Sequence, residues 1–382
     1  MVGTPTRLAI VLAGLHRVNR GAETAFESVG REIAKTSGWE VTLFGSGPVR
    51  NNEPYEFVHV PCVPRERFER RPRMPMFRSP EAWEELSFVR RLRKSYSSLQ
   101  FDATLTCSYA FCNWFLRAWG PRASRPAHVF VTQNGDWPCF RKNSEFRWFG
   151  CDGLICTNPE FYERHRTSYP CSLIPNGVDP TLFRPDGTRD RAILGIPAGV
   201  PVVLIVSALI PSKRVLAGIE AASKVAGIHL VVAGNGPLRD EVDRIGNQLL
   251  GTRFHRMSLP REQMPSVYRC ADALLHMSVD EPSANAYIEA LATGLPIITH
   301  DREVTRWTLG TTSYLTDTLQ PNRVADCIRA ALEEPKGSRT SERMERVSSK
   351  FTWSHIASQY CDAILAAVAA KSGNVSSLSG AR

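Results

Sequence analysis

Short apolar segments alternate with longer segments of helical periodicity throughout the first half of the chain. The short segments, which are rich in β-branched residues, are RLAIVLAG, EVTLFGSG, EFVHVP, DATLTCS, AHVFVTQ, GLICTN and CSLIPN. Near-continuous apolar strands are typical of parallel sheets, because helices cover both faces of such a sheet. The pattern therefore predicts an α/β domain built from βαβ units.

The same alternation starts again in the second half. Its predicted strands are PVVLIVSAL, HLVVAG, RFHRM, ADALLHMS and PIITH, and helical stretches such as KRVLAGIEAASKV and LRDEVDRIGNQLL separate them. This repetition predicts a second doubly wound domain. Residues 174–199, which are dense in Pro, Gly and Asp, lie between the two halves and fit an interdomain connection.

These patterns divide the chain into four predicted parts. A boundary near residue 185 separates a first Rossmann-like domain, 1–185, from a second one, 186–350. Helical periodicity in FTWSHIASQYCDAILAAVAAK predicts a helix over 351–371 that packs back on the first domain. The small polar residues 372–382 predict a flexible tail.

Composition agrees with two folded domains of a globular protein. The chain has 382 residues, of which 43% are apolar and 22% charged. Its ten cysteines form no CxxC pair, and most lie in apolar runs, which predicts buried thiols in a reducing compartment. The apolar run Leu8–Leu15 is too short to span a bilayer and is interpreted as a buried strand.

The formal net charge of +9 falls mainly in the first half. Arginines interleaved with Phe and Met form the segment VPRERFERRPRMPMFR, residues 63–78. This mixture fits either a solvated, mobile loop or a surface that meets an anionic membrane or an anionic acceptor. Nucleic acid is not an expected partner.

The loops after the predicted strands are the first place to look for a site, because ligands of open α/β sheets bind beyond the carboxyl ends of the strands. After PVVLIVSAL, the loop IPSKR places Lys213 and Arg214 at the start of a helix. The helix dipole disfavours cations at that position. A bound diphosphate would supply the missing negative charge, so we predict a diphosphate site here.

The segment EPSANAYIEALATGLP follows another predicted strand. Ser283 is the predicted N-cap of its helix, which would point the amides of Ala284 and Asn285 at a ligand. Glu281 and Glu289 are able to accept hydrogen bonds from vicinal hydroxyls of a sugar or a ribose. The alternative is a dipole-compensating acid and a solvated helix residue. A glycosidase pair fits poorly, because both carboxylates lie on one loop and helix.

The loops of the first half carry weaker signals. In RGAE, Gly21 lets the backbone approach a ligand at the start of a helix, although an ordinary βα turn with Glu23 in the first helical turn explains it equally well. In QNGDWP, the side chains of Gln133, Asn134 and Asp136 follow a strand where an acceptor hydroxyl would arrive. An Asx-rich turn is the alternative.

Together, several of these segments resemble the family 4 retaining glycosyltransferases of GT-B fold. They are IPNGVD with Phe183, VSALIPSKR, VVAGNGPLRDEV, EPSANAYIE with its E-x7-E spacing, and ALATGLPII, and the match is dense from about 172 to 300. The resemblance implies two Rossmann-like doubly wound α/β domains that face a central cleft. It also implies that the first domain binds the acceptor and the second the nucleotide sugar.

The resemblance implies a role for each matching residue. Glu281 would contact hydroxyls of the donor sugar, Glu289 the ribose and Lys213 the diphosphate. The backbone of Ser283, Ala284 and Asn285 would hold the distal phosphate. Gly234, in the AGNGP turn, is placed with the donor-binding residues, as is Gly21 in RGAE, which resembles the family's GGxE loop.

Three positions depart from the family pattern. Ala208 stands where many members have an Arg that pairs with the Lys, SAN replaces the usual small-aromatic-Gly triplet, and Arg20 replaces the first Gly of GGxE. Either Arg214 or Arg20 is a candidate to restore the charge. VTQNGDW occupies the place of a strand end that often carries a His, which leaves Asn134, Gln133 and His16 as candidates near the reacting centre.

The sequence thus predicts a retaining hexosyltransferase that uses a nucleotide diphosphate sugar, with UDP- or GDP-sugars favoured, and a glycan or lipid-linked acceptor. Neither a metal nor another cofactor is expected, because a helix terminus and a cation would neutralise the leaving group and no Asp-x-Asp cluster occurs. A cytoplasmic protein, peripheral at the inner face of the membrane, is expected. The alternatives are a sugar-nucleotide epimerase and a degenerate, non-catalytic binding protein.

Overall fold

The computed structural model describes residues 5–120, 124–189, 191–335 and 337–379. The chain forms two compact units, each with its own parallel sheet. The N-terminal unit comprises Met1–Asn176 and Trp353–Arg382, and the C-terminal unit comprises Gly177–Thr352. The two predicted doubly wound α/β domains are confirmed.

The N-terminal unit is built on a seven-stranded parallel sheet in the order β3-β2-β1-β4-β5-β6-β7. Its strands are β1 Arg7–Val11, β2 Glu40–Gly45, β3 Glu56–His59, β4 Ala103–Thr106, β5 Ala127–Val131, β6 Gly153–Cys156 and β7 Cys171–Leu173. Its helices include α1 Gly21–Thr36, α2 Pro80–Leu92, α3 Phe111–Ala118, α4 Trp137–Phe140 and α5 Pro159–His165. Side chains of β1 alternate between the two layers: Leu8 and Ile10 pack with α1, whereas Ala9 and Val11 pack with α2 and α3.

The C-terminal unit is built on a six-stranded parallel sheet in the order β10-β9-β8-β11-β12-β13. Its strands are β8 Val202–Val206, β9 His229–Ala233, β10 Phe254–Met257, β11 Ala273–His276, β12 Ile297–His300 and β13 Tyr314–Thr316. Its helices are α6 Val215–Ser223, α7 Arg239–Leu250, α8 Met264–Cys270, α9 Asn285–Ala292, α10 Glu303–Leu309, α11 Pro321–Glu333 and α12 Thr340–Lys350. Each predicted strand of the second half is present, and β13, which is short, was not predicted.

The long helix α13, Trp353–Ser379, returns the chain to the N-terminal unit. Trp353, Ile356, Tyr360 and Ile364 lie in the same core cluster as α1 and the alternate residues of β1. The helix continues beyond the predicted end at 371, through most of the predicted tail, and residues 380–382 lie outside the described part of the chain.

The Pro- and Gly-rich segment at 174–199 belongs mostly to the C-terminal unit. Phe183, Leu194 and Ile196 are buried in that unit's core, and the backbone N–H of Val178 donates to the carbonyl of Phe351 at 2.7 Å. The two units consequently divide between Asn176 and Gly177, upstream of the expected position near 185.

In each sheet, the order of the strands creates a crevice between two neighbouring strands from which the chain continues in opposite directions. In the C-terminal unit, β8 pairs with β9 on one side and with β11 on the other, so the chain leaves β8 and β11 in opposite directions. The loops at the carboxyl ends of these two strands therefore border the ligand crevice of a doubly wound sheet. In the N-terminal unit, β1 pairs with β2 on one side and with β4 on the other, so the loops after β1 and β4 border a crevice in the same way.

Candidate functional site

Lys213 and Glu281, from the two loops that border the crevice of the C-terminal unit, form an ion pair. Lys213 ends a single 3-10 turn, Pro211–Lys213, after β8, whereas Glu281 follows β11. The Lys213 ammonium donates a hydrogen bond to Glu281 Oε2, and Glu281 is only 6% exposed. The structure thus brings together two residues predicted for the donor site. In this structure, Glu281 supplies the negative charge beside Lys213 that was expected from a ligand.

Arg214 connects the 3-10 turn to α6 in a conformation unusual for its residue type. Its φ is +50°, in the left-handed region, and its carbonyl accepts the N–H of Gly218 at 3.2 Å. One guanidinium nitrogen, Nη1, is buried with no hydrogen-bond partner among the described residues. Backbone strain and a buried unpaired donor both cost free energy, and such features concentrate at ligand sites.

The helix α9 begins one residue later than predicted. Its first residue is Asn285 and its N-cap is Ala284, which has no side chain able to cap the helix. The prediction of Ser283 as the N-cap is therefore wrong, because the chain remains extended at Ala284. The N-terminal end of α9 lies at the edge of the sheet that carries Lys213 and Glu281.

Glu289 lies on the second turn of α9 and is nearly buried, with 7% of its surface exposed. Its Oε2 accepts a hydrogen bond from the Tyr268 hydroxyl at 2.8 Å, and Arg261 Nη1 lies 3.4 Å from its Oε1. Burial and the neighbouring carboxylate raise the pKa of Tyr268 well above its usual range. Sequence analysis missed Tyr268 and Arg261, because both belong to the segment around α8 and no spacing connects them with Glu289.

A second set of side chains that sequence analysis missed contacts Glu281 from the core. His276 Nε2 lies 3.6 Å from Glu281 Oε2, and its Nδ1 lies 3.1 Å from the Tyr287 hydroxyl. Tyr287 in turn lies 2.8 Å from the Thr299 hydroxyl. Burial lowers the pKa of His276 to about 4. The available signal was a His at the end of the otherwise aliphatic strand ALLH.

Gly234 shapes the loop after β9 by close backbone contact. A Cβ at this position would lie 1.9 Å from the carbonyl oxygen of Ser207, in the loop after β8. Gly236 is similarly constrained, since its Cβ would lie 2.5 Å from the carbonyl oxygen of Leu209. Both glycines therefore allow the AGNGP turn to lie directly against the loop that leads to Lys213.

In the N-terminal unit, Gly21 is the first residue of α1 and is exposed. Glu23, in the same helical turn, is buried against Gly14, where a Cβ would lie 2.1 Å from Glu23 Oε1. Burial raises the pKa of Glu23. Arg20 precedes the helix, and its Nη2 lies 3.4 Å from Oε1 of the exposed Glu66.

The residues proposed for the acceptor side differ in accessibility. His16 is buried, with Nδ1 2.9 Å from the Pro48 carbonyl and Nε2 2.8 Å from the Tyr55 hydroxyl. Both of its ring nitrogens are therefore occupied within the protein. Asp136 is also buried, and its Oδ2 accepts hydrogen bonds from Arg164 at 2.6 Å and His165 at 2.8 Å.

Gln133 and Asn134 occupy the turn after β5. The Gln133 side-chain amide pairs with that of Asn176, whose Nδ2 donates to Gln133 Oε1 at 3.2 Å. Asn134 is exposed, and its Nδ2 lies 3.6 Å from Cys107 Sγ. Of the residues proposed for the acceptor side, Asn134 is the most accessible.

The arginine-rich segment is anchored to the N-terminal unit. Arg65 Nη1 donates to Glu81 at 2.7 Å, and its Nη2 donates to Glu84 at 2.9 Å. Arg78 Nε donates to the buried Glu145 at 2.5 Å. Stacking of Arg71 over Trp83, 4.8 Å from the ring centroid, adds a further contact. The remaining arginines of the segment, Arg67, Arg70 and Arg73, are exposed.

The described residues lack the features of a metal centre and of a membrane span. These residues contain no group of three or more His, Cys, Asp or Glu side chains with the geometry of a metal site. Within the same part of the chain, no helix combines the length and apolar character needed to cross a bilayer.

Comparison with known proteins gives matches over most of the chain. The model of Glycosyltransferase Family 4 matches residues 19–182, and the model of glycosyl transferases group 1 matches residues 186–350. The lipopolysaccharide core biosynthesis glycosyltransferase LpsE of Rhizobium meliloti is 27% identical over 50% of this chain and 57% of its own length. D-inositol 3-phosphate glycosyltransferase of Mycolicibacterium smegmatis is 33% identical over 33% of this chain and 31% of its own length. The matches thus span about a third to three-fifths of these relatives.

Solved structures share the fold along nearly the whole chain. Sucrose-phosphate synthase from Thermosynechococcus elongatus is similar with a TM-score of 0.75, at 21% identity, over 94% of this chain and 98% of that protein. Anabaena HepE in complex with UDP and glucose is similar with a TM-score of 0.73, at 14% identity, over 94% and 98%. At these identities, the likeness supports the fold alone. Together with the two family models, it places this chain among the family 4 glycosyltransferases of GT-B fold.

Proposed function

We propose that this glycosyltransferase moves a hexose from a nucleotide diphosphate sugar to a glycan or lipid-linked acceptor and retains the anomeric configuration. The observation that carries the proposal is the ion pair of Lys213 with the nearly buried Glu281 at the carboxyl edge of the sheet. A cation and a hydrogen-bond acceptor side by side match the two chemical parts of the donor, the diphosphate and the sugar hydroxyls.

In this proposal, the positive side of the site stabilises the leaving nucleotide diphosphate. Lys213 binds the diphosphate, and the buried, unpaired Nη1 of Arg214 supplies a second donor close to it in the chain. The N-terminal end of α9, with the backbone of Ser283, Ala284 and Asn285, adds the positive end of a helix dipole. These fixed charges stabilise the transition state, and the reaction is proposed to need no metal.

The two glutamates bind the two sugar rings of the donor. Glu281 accepts hydrogen bonds from hydroxyls of the transferred sugar, and Glu289 accepts them from the ribose. Tyr268 and Arg261 orient the Glu289 carboxylate. The close-packed turn at Gly234 keeps side chains away from the loop before Lys213. UDP- and GDP-sugars are the proposed donors.

The acceptor is proposed to bind the N-terminal unit. Asn134 is the exposed polar residue at the carboxyl end of β5, and Gly21 opens α1 beside the end of β1. The exposed Arg67, Arg70 and Arg73, together with the 43% exposed Met74, are proposed to contact an anionic, cytoplasmic membrane surface. Binding to vesicles of neutral and anionic lipids, with Arg67, Arg70 and Arg73 replaced by Gln, tests this contact.

The donor proposal is tested with a panel of UDP-, GDP-, ADP- and dTDP-sugars. Binding is measured by calorimetry and donor consumption by product analysis, for the wild type, Lys213→Ala and Glu281→Gln. Exposed residues of α6 and its C-terminal end provide matched controls, Lys224→Ala and Glu220→Gln. Only the site variants are expected to lose binding or turnover. Failure of the wild type to bind or consume any donor would refute the proposal. Conversion of the donor to an epimeric nucleotide sugar in the absence of an acceptor would favour an epimerase.

A further inference from the structure

A chain of three buried polar side chains runs through the core of the C-terminal unit and ends at Glu281. Its members are His276 at the end of β11, Tyr287 on α9 and Thr299 on β12, each less than 5% exposed. The Tyr287 hydroxyl lies 2.8 Å from Thr299 Oγ1 and 3.1 Å from His276 Nδ1, and His276 Nε2 lies 3.6 Å from Glu281 Oε2. Leu274 and Ile297, two positions before His276 and Thr299 on the same strands, are aliphatic members of the core cluster that contains Tyr287.

Electrostatics determines which group donates and which accepts along these three side chains. A neutral imidazole carries one N–H and one lone pair. If the lone pair were on Nε2, it would face a carboxylate oxygen and be repelled, so the N–H lies on Nε2 and points to Glu281. Nδ1 then accepts a hydrogen bond from the Tyr287 hydroxyl, which accepts one from Thr299. In this arrangement the Tyr287 hydroxyl and His276 Nδ1 are paired, and the Nε2–H faces Glu281 Oε2 at 3.6 Å, just beyond hydrogen-bond distance.

The charged groups around His276 favour its neutral form. Burial lowers the pKa of His276 to about 4, with the nearby Lys213 lowering it further and Glu281 opposing the shift. On the Tyr287 side, burial raises the pKa of the phenol, and Arg302 is the neighbouring cation. Between pH 5.5 and 8, the chain therefore consists of neutral groups with fixed dipoles.

We infer that His276, held by Tyr287 and Thr299, is a positioning residue that keeps the Glu281 carboxylate directed at the hydroxyls of the transferred sugar. The inference rests on the proposed function, in which Lys213 binds the diphosphate. Lys213 and His276 both approach Glu281 Oε2. Once Lys213 turns to a diphosphate, the N–H of His276 remains as the protein contact that orients the carboxylate. Burial of three polar groups has no packing advantage over apolar side chains of similar size, which argues against a purely structural role.

Two variants test the inference by comparing nucleotide sugar with nucleotide diphosphate. Tyr287→Phe removes one hydroxyl and keeps the ring, and His276→Leu removes the donor to Glu281. Each is expected to weaken binding of the nucleotide sugar about tenfold, the worth of one protein hydrogen bond, and to change binding of the nucleotide diphosphate less than about twofold. His276→Gln, which keeps an N–H near the same place, is expected to recover part of the loss. Equal weakening of both ligands, or of neither, would overturn the inference.

A measurement without ligand separates this inference from the proposed function. In protein labelled with ¹⁵N-histidine, and with His276 assigned by loss of its signals in His276→Gln, the ring is expected as the neutral Nε2–H tautomer from pH 5.5 to 8. Tyr287→Phe is expected to shift the Nδ1 resonance. An Nδ1–H tautomer or a protonated ring in this range would overturn the inference even if donors bind. If the wild type binds no donor, the proposed function and the sugar-directed role fail together, whatever tautomer the spectrum shows.

Discussion

At the scale of single residues, Lys213 and Glu281 are proposed to bind the donor and also contribute to the stability of the fold. Glu281 is nearly buried and Lys213 is about one-quarter exposed, so each charge depends on its partner. Removal of one partner leaves the other charge partly desolvated and unpaired, which costs more than the pair contributes. The site residues should therefore affect stability as well as binding.

Lys213→Ala is expected to lower the free energy of unfolding by about 1–3 kcal/mol, because Glu281 then lacks its ion-pair partner. Donor turnover is expected to fall on the order of 100-fold or more, since a cation at the leaving diphosphate is lost. Urea denaturation and a turnover assay measure the two effects. Lys224→Ala, at an exposed position, should change the free energy of unfolding by less than about 0.5 kcal/mol. Equal stability of Lys213→Ala and the wild type would show that the ion pair is not formed.

Substitutions of Arg214 are expected to affect the stability of the protein and its binding of the donor in different ways. Arg214→Gly should raise the free energy of unfolding by about 0.5–1 kcal/mol, because glycine adopts the observed φ of +50° without strain. The same change should weaken donor binding, because the unpaired Nη1 is removed. Arg214→Ala, which removes the unpaired donor but keeps the backbone strain, should weaken binding to the same extent and gain less stability than Arg214→Gly. Calorimetry and urea denaturation of both variants provide the check, and unchanged donor binding would contradict a role for the guanidinium.

At the scale of elements, buried titratable groups connect neighbouring helices and strands. Glu85 on α2 is buried, and its Oε2 accepts the backbone N–H of Cys112 at 3.4 Å in the first turn of α3. Burial raises the pKa of Glu85 to about 8. The carboxyl group is thus protonated in the folded protein at pH values at which it is ionised in the unfolded chain.

The stability contributed by Glu85 should therefore be complete below pH 4.5 and be lost as the pH rises toward 8, because the folded state binds the proton more tightly. Glu85→Gln, a neutral isostere, should remove this loss. The difference in the free energy of unfolding between variant and wild type should grow by about 2–4 kcal/mol from pH 4.5 to 8. Urea denaturation at several pH values measures it. A difference independent of pH would contradict a protonated Glu85.

At the same scale, the sequence predicted elements better than contacts between them. Continuous apolar runs such as VVLIV identified the strands, because both faces of a parallel sheet are buried. The three-residue strand β13 was missed, since its half-buried residues give no apolar run. Ser283 was predicted as an N-cap from its residue type, but the chain becomes helical only at Asn285. The contacts of His276 and Tyr268 with the two glutamates depend on tertiary packing, which no local spacing encodes.

At the scale of the whole molecule, the chain leaves the N-terminal unit after Asn176 and returns to it at Trp353. The returning helix α13 supplies Ile356, Tyr360 and Ile364 to the core of the N-terminal unit. Lys371 donates to the carbonyl of Pro126 at 2.8 Å. The N-terminal unit is therefore assembled from both ends of the sequence.

Truncation tests this assembly. Deletion of residues 353–382 should leave the N-terminal unit unfolded or aggregated, because an apolar face of α1 and β1 loses its cover. Deletion of residues 373–382 should leave the unfolding transition nearly unchanged, because the described core contacts of α13 extend from Trp353 to Val368. Solubility and circular dichroism during thermal unfolding compare the two. A well-folded protein without residues 353–382 would contradict the observed packing of α13.

The most direct test of the central claim is a time-resolved ¹H NMR assay of UDP- and GDP-hexoses with the purified protein in excess EDTA. The account predicts that the wild type slowly transfers the hexose of one of these donors to water, releases the nucleoside diphosphate and first forms the free hexose with the donor's anomeric configuration. EDTA should not change the rate. Lys213→Ala and Glu281→Gln should be slower on the order of 100-fold. Inversion at the anomeric carbon, dependence on a divalent metal, or full activity of the Lys213→Ala variant would contradict the account.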